Sequence, residues 1–156
     1  MKLNIGCGNN ILKDYINIDI RKIDGVDLIL DLEKQELPYD NESVDEILAY
    51  DVLEHISHNK IWDVLNDMYR VLKKGGILHI RVPDTDNIYL KSLKYEGIER
   101  FKMLSYWLGG GQDYPENTHK SFFTKDSLKA ILEYYGFKII ELWNDDSNIV
   151  CKAVKE

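Results

Sequence analysis

An apolar run near the N-terminus ends abruptly at two glycines, and this feature constrains the fold more than any other. Leu3–Ile5 predicts a strand, and Gly6-Cys7-Gly8 follows it directly. Glycine has no Cβ, so a strand that ends in this way brings bare backbone to the carboxyl edge of a sheet, where a ligand can approach closely. A second apolar run, Tyr15–Ile18, ends in Asp19, whose carboxylate can accept hydrogen bonds from a ribose diol. Together these features predict a site for an adenosine-containing ligand.

Seven apolar runs bounded by turn residues predict seven β-strands. They are Leu3–Ile5, Tyr15–Ile18, Val26–Leu30, Val44–Tyr50, Ile77–Val82, Phe137–Trp143 and Ile149–Val154. The first five end in or lead into polar residues, which suits parallel strands whose carboxyl ends line one crevice. A polar turn separates the last two, which predict an antiparallel hairpin. We therefore expect an α/β fold with a mostly parallel seven-stranded sheet and an antiparallel last strand.

Two amphipathic helices are predicted with defined ends. Ser57 can cap the first helix, which runs to about Lys73. The run Lys73–Gly76 ends this helix, because cations suit the negative helix terminus and glycine suits the position after it. Thr124 caps the second helix, and Gly136 ends it.

Residues 85 to 120 differ in character from the rest of the chain and are rich in tyrosine, lysine and leucine. They predict one or two helices up to Leu108, then Gly109-Gly110-Gly111, which cannot continue a helix, and an irregular stretch to His119. Beside a ligand crevice such a segment can be a substrate lid, since lids need hinges. A plain surface connection is the alternative, and both stay open.

Length and composition predict a single domain over residues 1 to 156, with 44% apolar residues and one core. No apolar stretch approaches the ~20 residues that a membrane span needs, and the first strand begins too early for a signal peptide to precede it. The two cysteines, Cys7 and Cys151, form no disulfide framework. We therefore expect a cytoplasmic protein that does not bind membranes.

The formal net charge of −7 argues against general binding to nucleic acid, which depends on the neutralisation of phosphates by lysine and arginine. Four basic residues nevertheless lie close together in the sequence: Lys91, Lys94, Arg100 and Lys102. They predict a solvated helix face, with a local basic patch as the alternative. We expect no nucleic-acid partner.

Several of these motifs resemble those of the class I S-adenosylmethionine-dependent methyltransferases, and the resemblance spans nearly the whole chain. Leu3–Gly8 matches the family's first, cofactor-binding motif. Val44–His55 is similar to the fourth strand and the turn after it, and Arg70–Gly76 matches the following helix-to-strand turn. The group most resembled is the small predicted methyltransferases associated with polysaccharide and sugar-nucleotide pathways. The resemblance implies a Rossmann-like fold and S-adenosyl-L-methionine as the cofactor.

The resemblance also implies which residues bind the cofactor. Asp19 falls where a family acid holds the ribose hydroxyls, and Asp31 falls where a side chain meets the adenine. The glycine-rich turn would hold the methionine end, and the tip of the fourth strand would lie beside the reactive methyl group. The predicted cofactor-binding residues are Asn4, Gly6, Cys7, Gly8, Asp19, Ile20, Asp31, Leu32, Ala49 and Tyr50.

Three departures from the family pattern have physical consequences. Asn4 replaces an acid, so a hydrogen bond to the cofactor's ammonium would lack charge assistance, and Asn10 replaces the third glycine of the loop. Only ten residues separate Gly8 from Asp19, and only six separate Asp19 from Val26. A parallel crossover needs a dozen or more residues to carry a helix, so the helices after the first two strands are expected to be shortened or missing.

A sheet without those helices would expose one face of strands rich in isoleucine and leucine. Large apolar patches are seldom left in water, so either residues 85 to 120 or a second copy of the chain is expected to cover this face. Of these two, we predict a homodimer.

Histidines are the candidate catalytic residues, because a hydroxyl acceptor would benefit from a general base near neutral pH. His55 follows the fourth strand, and His119 lies at the end of the candidate lid; a structural role is the alternative for each. Asp51, Glu54 and His55 could be considered as metal ligands, but neighbours in sequence share an ion poorly. We therefore predict no metal site.

These observations favour a methyltransferase that acts on a small-molecule or glycan substrate, with a sugar or glycan hydroxyl as one acceptor. A non-catalytic S-adenosylmethionine-binding or protein-interaction module is the main alternative, because of the trimmed helices and of Asn4. A nicotinamide-dependent oxidoreductase is disfavoured, since Gly6 and Gly8 are not followed by a third glycine that opens a full helix.

Overall fold

In the computed structural model, which describes residues 1–156, seven strands form one sheet in the order β3-β2-β1-β4-β5-β7-β6. The strands are β1 (Lys2–Ile5), β2 (Ile16–Asp19), β3 (Leu28–Ile29), β4 (Val44–Tyr50), β5 (Leu72–Pro83), β6 (Phe137–Asp145) and β7 (Asn148–Lys155). Neighbours from β3 to β5 are parallel, whereas β7 is antiparallel to both β5 and β6. The prediction of an α/β fold with a mostly parallel, seven-stranded Rossmann-like sheet is confirmed.

The core lies on one face of this sheet, between the strands and two helices, α1 (Ile61–Val71) and α4 (Lys125–Tyr134). Both helices present an apolar stripe to the sheet, because their apolar residues recur at helical spacing. Thr124 caps α4 as predicted: its hydroxyl accepts from the Ser127 N–H at 3.1 Å, and the Ser127 hydroxyl accepts from the Thr124 N–H at 2.9 Å. No helix is both long and apolar enough to cross a membrane.

The predicted start of the first helix was wrong, and its predicted end at about Lys73 lies two residues too late. Ser57 does not cap it, because α1 begins only at Ile61 and the Ser57 hydroxyl donates instead to Glu33 Oε1 at 2.6 Å. The helix ends at Val71, and Leu72 already belongs to β5, where it pairs with β4. Pairing of Leu72 with β4 therefore ends the helix before the lysines and glycines that were expected to end it.

The helices expected to be shortened or missing after β1 and β2 are absent, and two buried asparagines organise the connections in their place. The Asn4 amide donates to the Asn10 carbonyl at 2.8 Å and to Asn17 Oδ1 at 3.0 Å. Asn17 Oδ1 also accepts from the Leu12 N–H at 2.9 Å, and Asn17 donates back to the Leu12 carbonyl at 3.0 Å. These bonds satisfy backbone groups that a helix would otherwise pair.

The sheet face without helices is not the apolar patch that we expected. Glu46 stands at its centre, where it accepts from the Tyr15 hydroxyl at 2.7 Å and pairs with Lys2 at 2.7 Å. His79 from β5 lies 3.4 Å from the same carboxylate. Charged and polar groups of this kind can face water, which explains how the face tolerates the loss of its helices.

Residues 85 to 120 do not cover that face either. They form α2 (Thr85–Ser92) and α3 (Gly97–Gly109), which follow the carboxyl end of β5. A group of exposed apolar side chains lies on these two helices and at the end of α2, where six are 53 to 72% exposed: Tyr89, Leu90, Leu93, Ile98, Phe101 and Tyr106. Exposed apolar surface therefore lies on α2 and α3, and not on the sheet face where we expected it.

Gly6, at the end of β1, has a positive φ of 63° and no room for a side chain. A Cβ there would lie 1.7 Å from Val52 Cγ2. The sequence argument attributed this glycine to a ligand that approaches the backbone, but the nearest constraint is the packed side chain of Val52.

We expect Gly6→Ala to destabilise the protein by about 1–3 kcal/mol more than Gly75→Ala, in urea unfolding. Gly75 also has a positive φ, of 79°, but no heavy atom lies within 4 Å of a Cβ built there. Gly75→Ala therefore measures the cost of the left-handed backbone conformation alone. Equal losses in the two variants would show that Val52 does not restrict this position.

Candidate active site

A cavity of about 310 Å³ opens at the carboxyl ends of β1 to β4. Five of the predicted cofactor-binding residues line it: Gly6, Asp19, Ile20, Asp31 and Leu32. The two carboxylates on which the adenosine prediction depended therefore face the same space as the glycine turn. This volume is at the lower end of the range for ligand pockets.

Asp19 is held in place by the loops around it and is only 5% exposed. Its Oδ2 accepts from the Gly8 N–H at 2.8 Å, and its Oδ1 accepts from the Arg21 N–H at 2.9 Å. The Arg21 side chain also reaches Oδ1, at 3.3 Å. Gly8 thus orients the acid at the end of the neighbouring strand and does not itself line the cavity.

Asp31 is fixed in a similar way at the end of the β3 region. It accepts from the Glu33 N–H at 3.0 Å and pairs with the Lys34 ammonium at 2.8 Å. Burial alone would raise the pKa of Asp31, but these two partners outweigh it and the pKa lies below its usual value. The carboxylate is therefore ionised at neutral pH and can accept hydrogen bonds.

Negative charge predominates around the cavity. Five carboxylates and three basic side chains line it: Asp19, Asp31, Glu33, Asp51 and Glu116, with Arg21, Lys34 and Lys120. An excess of carboxylates favours a ligand that carries positive charge, such as a sulfonium.

The other predicted cofactor-binding residues do not line the cavity. The Asn4 amide is used by Asn10 and Asn17, so it is not directed at a ligand ammonium. The Cys7 N–H donates to the Ile18 carbonyl at 3.0 Å, and burial raises the pKa of its thiol to about 11, so the thiol is inert.

Strand β4 ends at Tyr50 as predicted, but the two residues at its tip do not line the cavity. Ala49 is fully buried in the core, and Tyr50 points to the opposite face, where the Arg81 guanidinium lies 5.2 Å from the ring centroid. Asp51 and Val52 line the cavity instead. Asp51 has a positive φ of 56°, which a non-glycine residue seldom adopts and which turns the chain away from the sheet.

Sequence reasoning missed the residues that reach the cavity from the candidate lid. Tyr114, Pro115 and Glu116 line it, and the Arg21 guanidinium lies 4.9 Å from the Tyr114 ring centroid. Only the irregular, aromatic character of this segment pointed to such a role. Its position over the cavity depends on how α2 and α3 return the chain.

A second cavity of about 440 Å³ adjoins the first, and Asp51 and His55 line both. Its other walls come partly from the candidate lid and include Trp107 and His119. The two predicted catalytic histidines, 64 positions apart in the chain, lie with their ring centroids 4.9 Å apart. Burial lowers the pKa of both rings, so both are neutral near pH 7.

Comparison with known proteins identifies the family. A family model described as a methyltransferase domain matches residues 2–142. The chain belongs to this methyltransferase family. The prediction of a methyltransferase is confirmed at the level of the family, and the oxidoreductase alternative is not supported.

The chain is similar in sequence to O-methyltransferase 3 from Dictyostelium discoideum, with 29% identity over 118 residues. The match covers 72% of this chain and 25% of that protein, so the chain spans about a quarter of the relative's length.

Solved structures share the fold at low identity. An S-adenosylmethionine-dependent methyltransferase from Thermotoga maritima superposes with a TM-score of 0.70 and 17% identity, covering 99% of this chain and 82% of that one. The 1,6-didemethyltoxoflavin-N1-methyltransferase from Burkholderia thailandensis was solved with bound 1,6-didemethyltoxoflavin and S-adenosylhomocysteine. It superposes with a TM-score of 0.66 and 14% sequence identity, covering 99% of this chain and 70% of that one.

Proposed function

We propose that this domain transfers a methyl group from S-adenosylmethionine to a hydroxyl of a small polar acceptor, with sugar and glycan hydroxyls as the predicted class. The observation that carries the proposal is the pair of adjoining cavities with Asp51 and His55 in the walls of both. One cavity would take the cofactor and the other the acceptor, so the shared wall marks the place of methyl transfer. The similarity to an O-methyltransferase supports a hydroxyl acceptor.

The first cavity suits the cofactor in charge and in hydrogen-bonding groups. Asp19 would accept from the ribose hydroxyls, and Asp31 and Leu32 would meet the adenine. The backbone at Gly6 would lie beside the methionine end, and the excess of carboxylates complements a sulfonium. The bound cofactor supplies an already activated methyl group, so the chain's own residues need to orient the acceptor and exclude water.

His55 and His119 are the proposed catalytic residues because they lie where an acceptor hydroxyl would enter. Both imidazoles are neutral near pH 7 and can assist removal of the hydroxyl proton. His119 lines only the second cavity, so its role would concern the acceptor and not the cofactor.

Residues 85 to 120 would act as the lid of this site. Tyr114 to Glu116 border the first cavity, and Trp107 and His119 border the second, so one segment contacts both proposed ligands. A cytoplasmic location and the absence of nucleic-acid and membrane partners stay predictions from the sequence.

Calorimetric titration is expected to give heat with S-adenosylmethionine and none with a nicotinamide dinucleotide. Asp19→Asn should weaken cofactor binding by about 1–3 kcal/mol, because it removes charge-assisted hydrogen bonds to the ribose. Asp24→Asn is the matched control: Asp24 is exposed and lies outside the cavity. A wild-type chain that binds no S-adenosylmethionine would refute the proposal. Binding without turnover on any acceptor would favour the non-catalytic module.

His119→Ala is expected to lower turnover at least about a hundredfold, the lower end of the range for a residue that assists proton transfer. Its affinity for S-adenosylmethionine should stay within about twofold of wild type, since His119 does not line the first cavity. His58→Ala, at an exposed histidine, serves as the control. Turnover follows from S-adenosylhomocysteine formed with a panel of sugars and other hydroxylated acceptors. An equal loss of turnover and cofactor affinity would remove His119 from a catalytic role.

A homodimer is proposed through the α2–α3 surface, since residues 85 to 120 leave its apolar side chains exposed. Sedimentation velocity at micromolar concentration should give twice the chain mass of 18.2 kDa. Phe101→Glu should yield the monomer, whereas Tyr134→Glu should not; these side chains are 70 and 76% exposed, and Tyr134 lies on α4. A wild-type monomer would contradict the proposal.

A further inference from the structure

We propose that Glu54, His55 and His119 bind one divalent transition-metal cation, such as Zn²⁺, Co²⁺ or Mn²⁺, at the junction of the two cavities. From the sequence we predicted no metal site, because Asp51, Glu54 and His55 are close neighbours in the chain. The structure adds a ligand from a distant loop, and this changes the geometry.

The three side chains are close enough to share one ion. One potential ligand atom from each lies within 4.8 Å of the other two. Three evenly spaced ligand atoms about 2.1 Å from a common cation are at most about 3.6 Å apart. Side-chain rotations that move each atom by up to roughly 0.7 Å toward the centre would therefore complete the set.

Glu54 gives independent evidence for a ligand. Its side chain is 2% exposed, and its Oε2 is the one buried side-chain polar atom in the chain without a hydrogen-bond partner. Leaving a buried carboxylate oxygen unpaired is costly, so such an atom calls for an explanation. A cation at this position would satisfy it.

The His55 imidazole is oriented as metal-binding histidines usually are. The His55 Nδ1 lies 3.2 Å from the Thr118 carbonyl, which requires a proton on Nδ1 and leaves the Nε2 lone pair free. The His119 ring lies against the His55 ring, with the two centroids 4.9 Å apart. Metal-ligating histidines commonly donate their second N–H to a backbone carbonyl, which fixes the ring and its tautomer.

The backbone also pre-positions the three residues. The N–H groups of Lys120 and Ser121 donate to the Glu54 carbonyl at 2.7 and 3.1 Å. The His119 N–H donates to the Gly109 carbonyl at 3.1 Å. Backbone hydrogen bonds therefore hold the chain at His119 and directly after it, and they place the backbone of His119 beside Glu54.

The donor set and the surrounding charges suit a transition-series cation. Two imidazoles and one carboxylate match zinc, cobalt, iron or manganese better than calcium, which prefers oxygen ligands alone. The Asp51 carboxylate lies close enough to influence Glu54, His55 and His119, and adds negative charge, although Arg81 pairs with it at 2.9 Å. Three protein ligands leave a coordination position open for a further ligand.

This cation would explain how the site activates a hydroxyl, and that part of the inference rests on the proposed function. An acceptor oxygen in the open position would lose its proton more readily, because a cation lowers the pKa of a bound hydroxyl. The oxygen–methyl bond would then form as the methyl–sulfur bond breaks, S-adenosylhomocysteine would leave, and the hydroxyl proton would pass to water. His55 and His119 would thus act on the acceptor as ligands of the cation.

The test is titration of untagged, EDTA-treated protein with CoCl₂, followed by visible absorption. Wild type is expected to develop the ligand-field bands of imidazole-bound Co²⁺ and to lose them when Zn²⁺ is added in competition. His119→Ala and Glu54→Gln should bind Co²⁺ at least about tenfold more weakly, while the exposed-site control His58→Ala should behave as wild type. Glu54→Gln keeps the side-chain shape, and thermal unfolding in EDTA checks that each variant folds.

Absence of the bands in wild type, or equal Co²⁺ affinity in wild type and in both variants, would overturn the metal site. Cofactor binding is measured by calorimetry on the same samples, so the two proposals can fail separately. A chain that binds S-adenosylmethionine but no Co²⁺ would lose only the metal site. A chain that binds Co²⁺ but no S-adenosylmethionine would lose the proposed function and keep the metal site.

Discussion

The functional architecture depends on a few backbone hydrogen bonds that join the end of the candidate lid to the turn after β4. The Glu54 carbonyl accepts from two successive N–H groups, at Lys120 and Ser121, and the Ser121 hydroxyl donates to the Ile56 carbonyl at 2.6 Å. These bonds bring His119 against His55, close the second cavity and hold it beside the first. Backbone hydrogen bonds at a buried position leave little freedom for this junction, which is what a reaction geometry requires.

The site lies on a sheet that has no helices after β1 and β2, and polar groups near these strands take over their role. Asn4 and Asn17 pair the backbone of the short β1–β2 connection, and Glu46 gathers Tyr15, Lys2 and His79 on the open face. Because these groups are polar, the face can remain in water without a covering helix. The short connections also leave the carboxyl ends of β1 to β3 accessible, which is where the first cavity opens.

Strands and strand-end acids were predictable because their signals are local. Runs of apolar residues that alternate or end at turns indicate strands directly, and an acid after a parallel strand must lie at the carboxyl edge of the sheet. Asp19 and Asp31 were found in this way. The predicted helix cap at Ser57 was wrong, because the Ser57 hydroxyl donates to Glu33, which lies in another loop. Likewise Ala49 and Tyr50 were chosen where Asp51 and Val52 reach the cavity, since the left-handed turn at Asp51 has no local signature.

The sequence by itself determined the seven strands, the glycine turn, the two strand-end acids and the reduced helices, since each follows from residues within one short segment. Only the tertiary structure decided that His119 meets Glu54 and His55, that Tyr114 borders the first cavity and that the open face is charged. Those contacts join residues separated by tens of positions, and their geometry is set by how the intervening helices pack. No local pattern records that packing, so it becomes visible only in the folded chain.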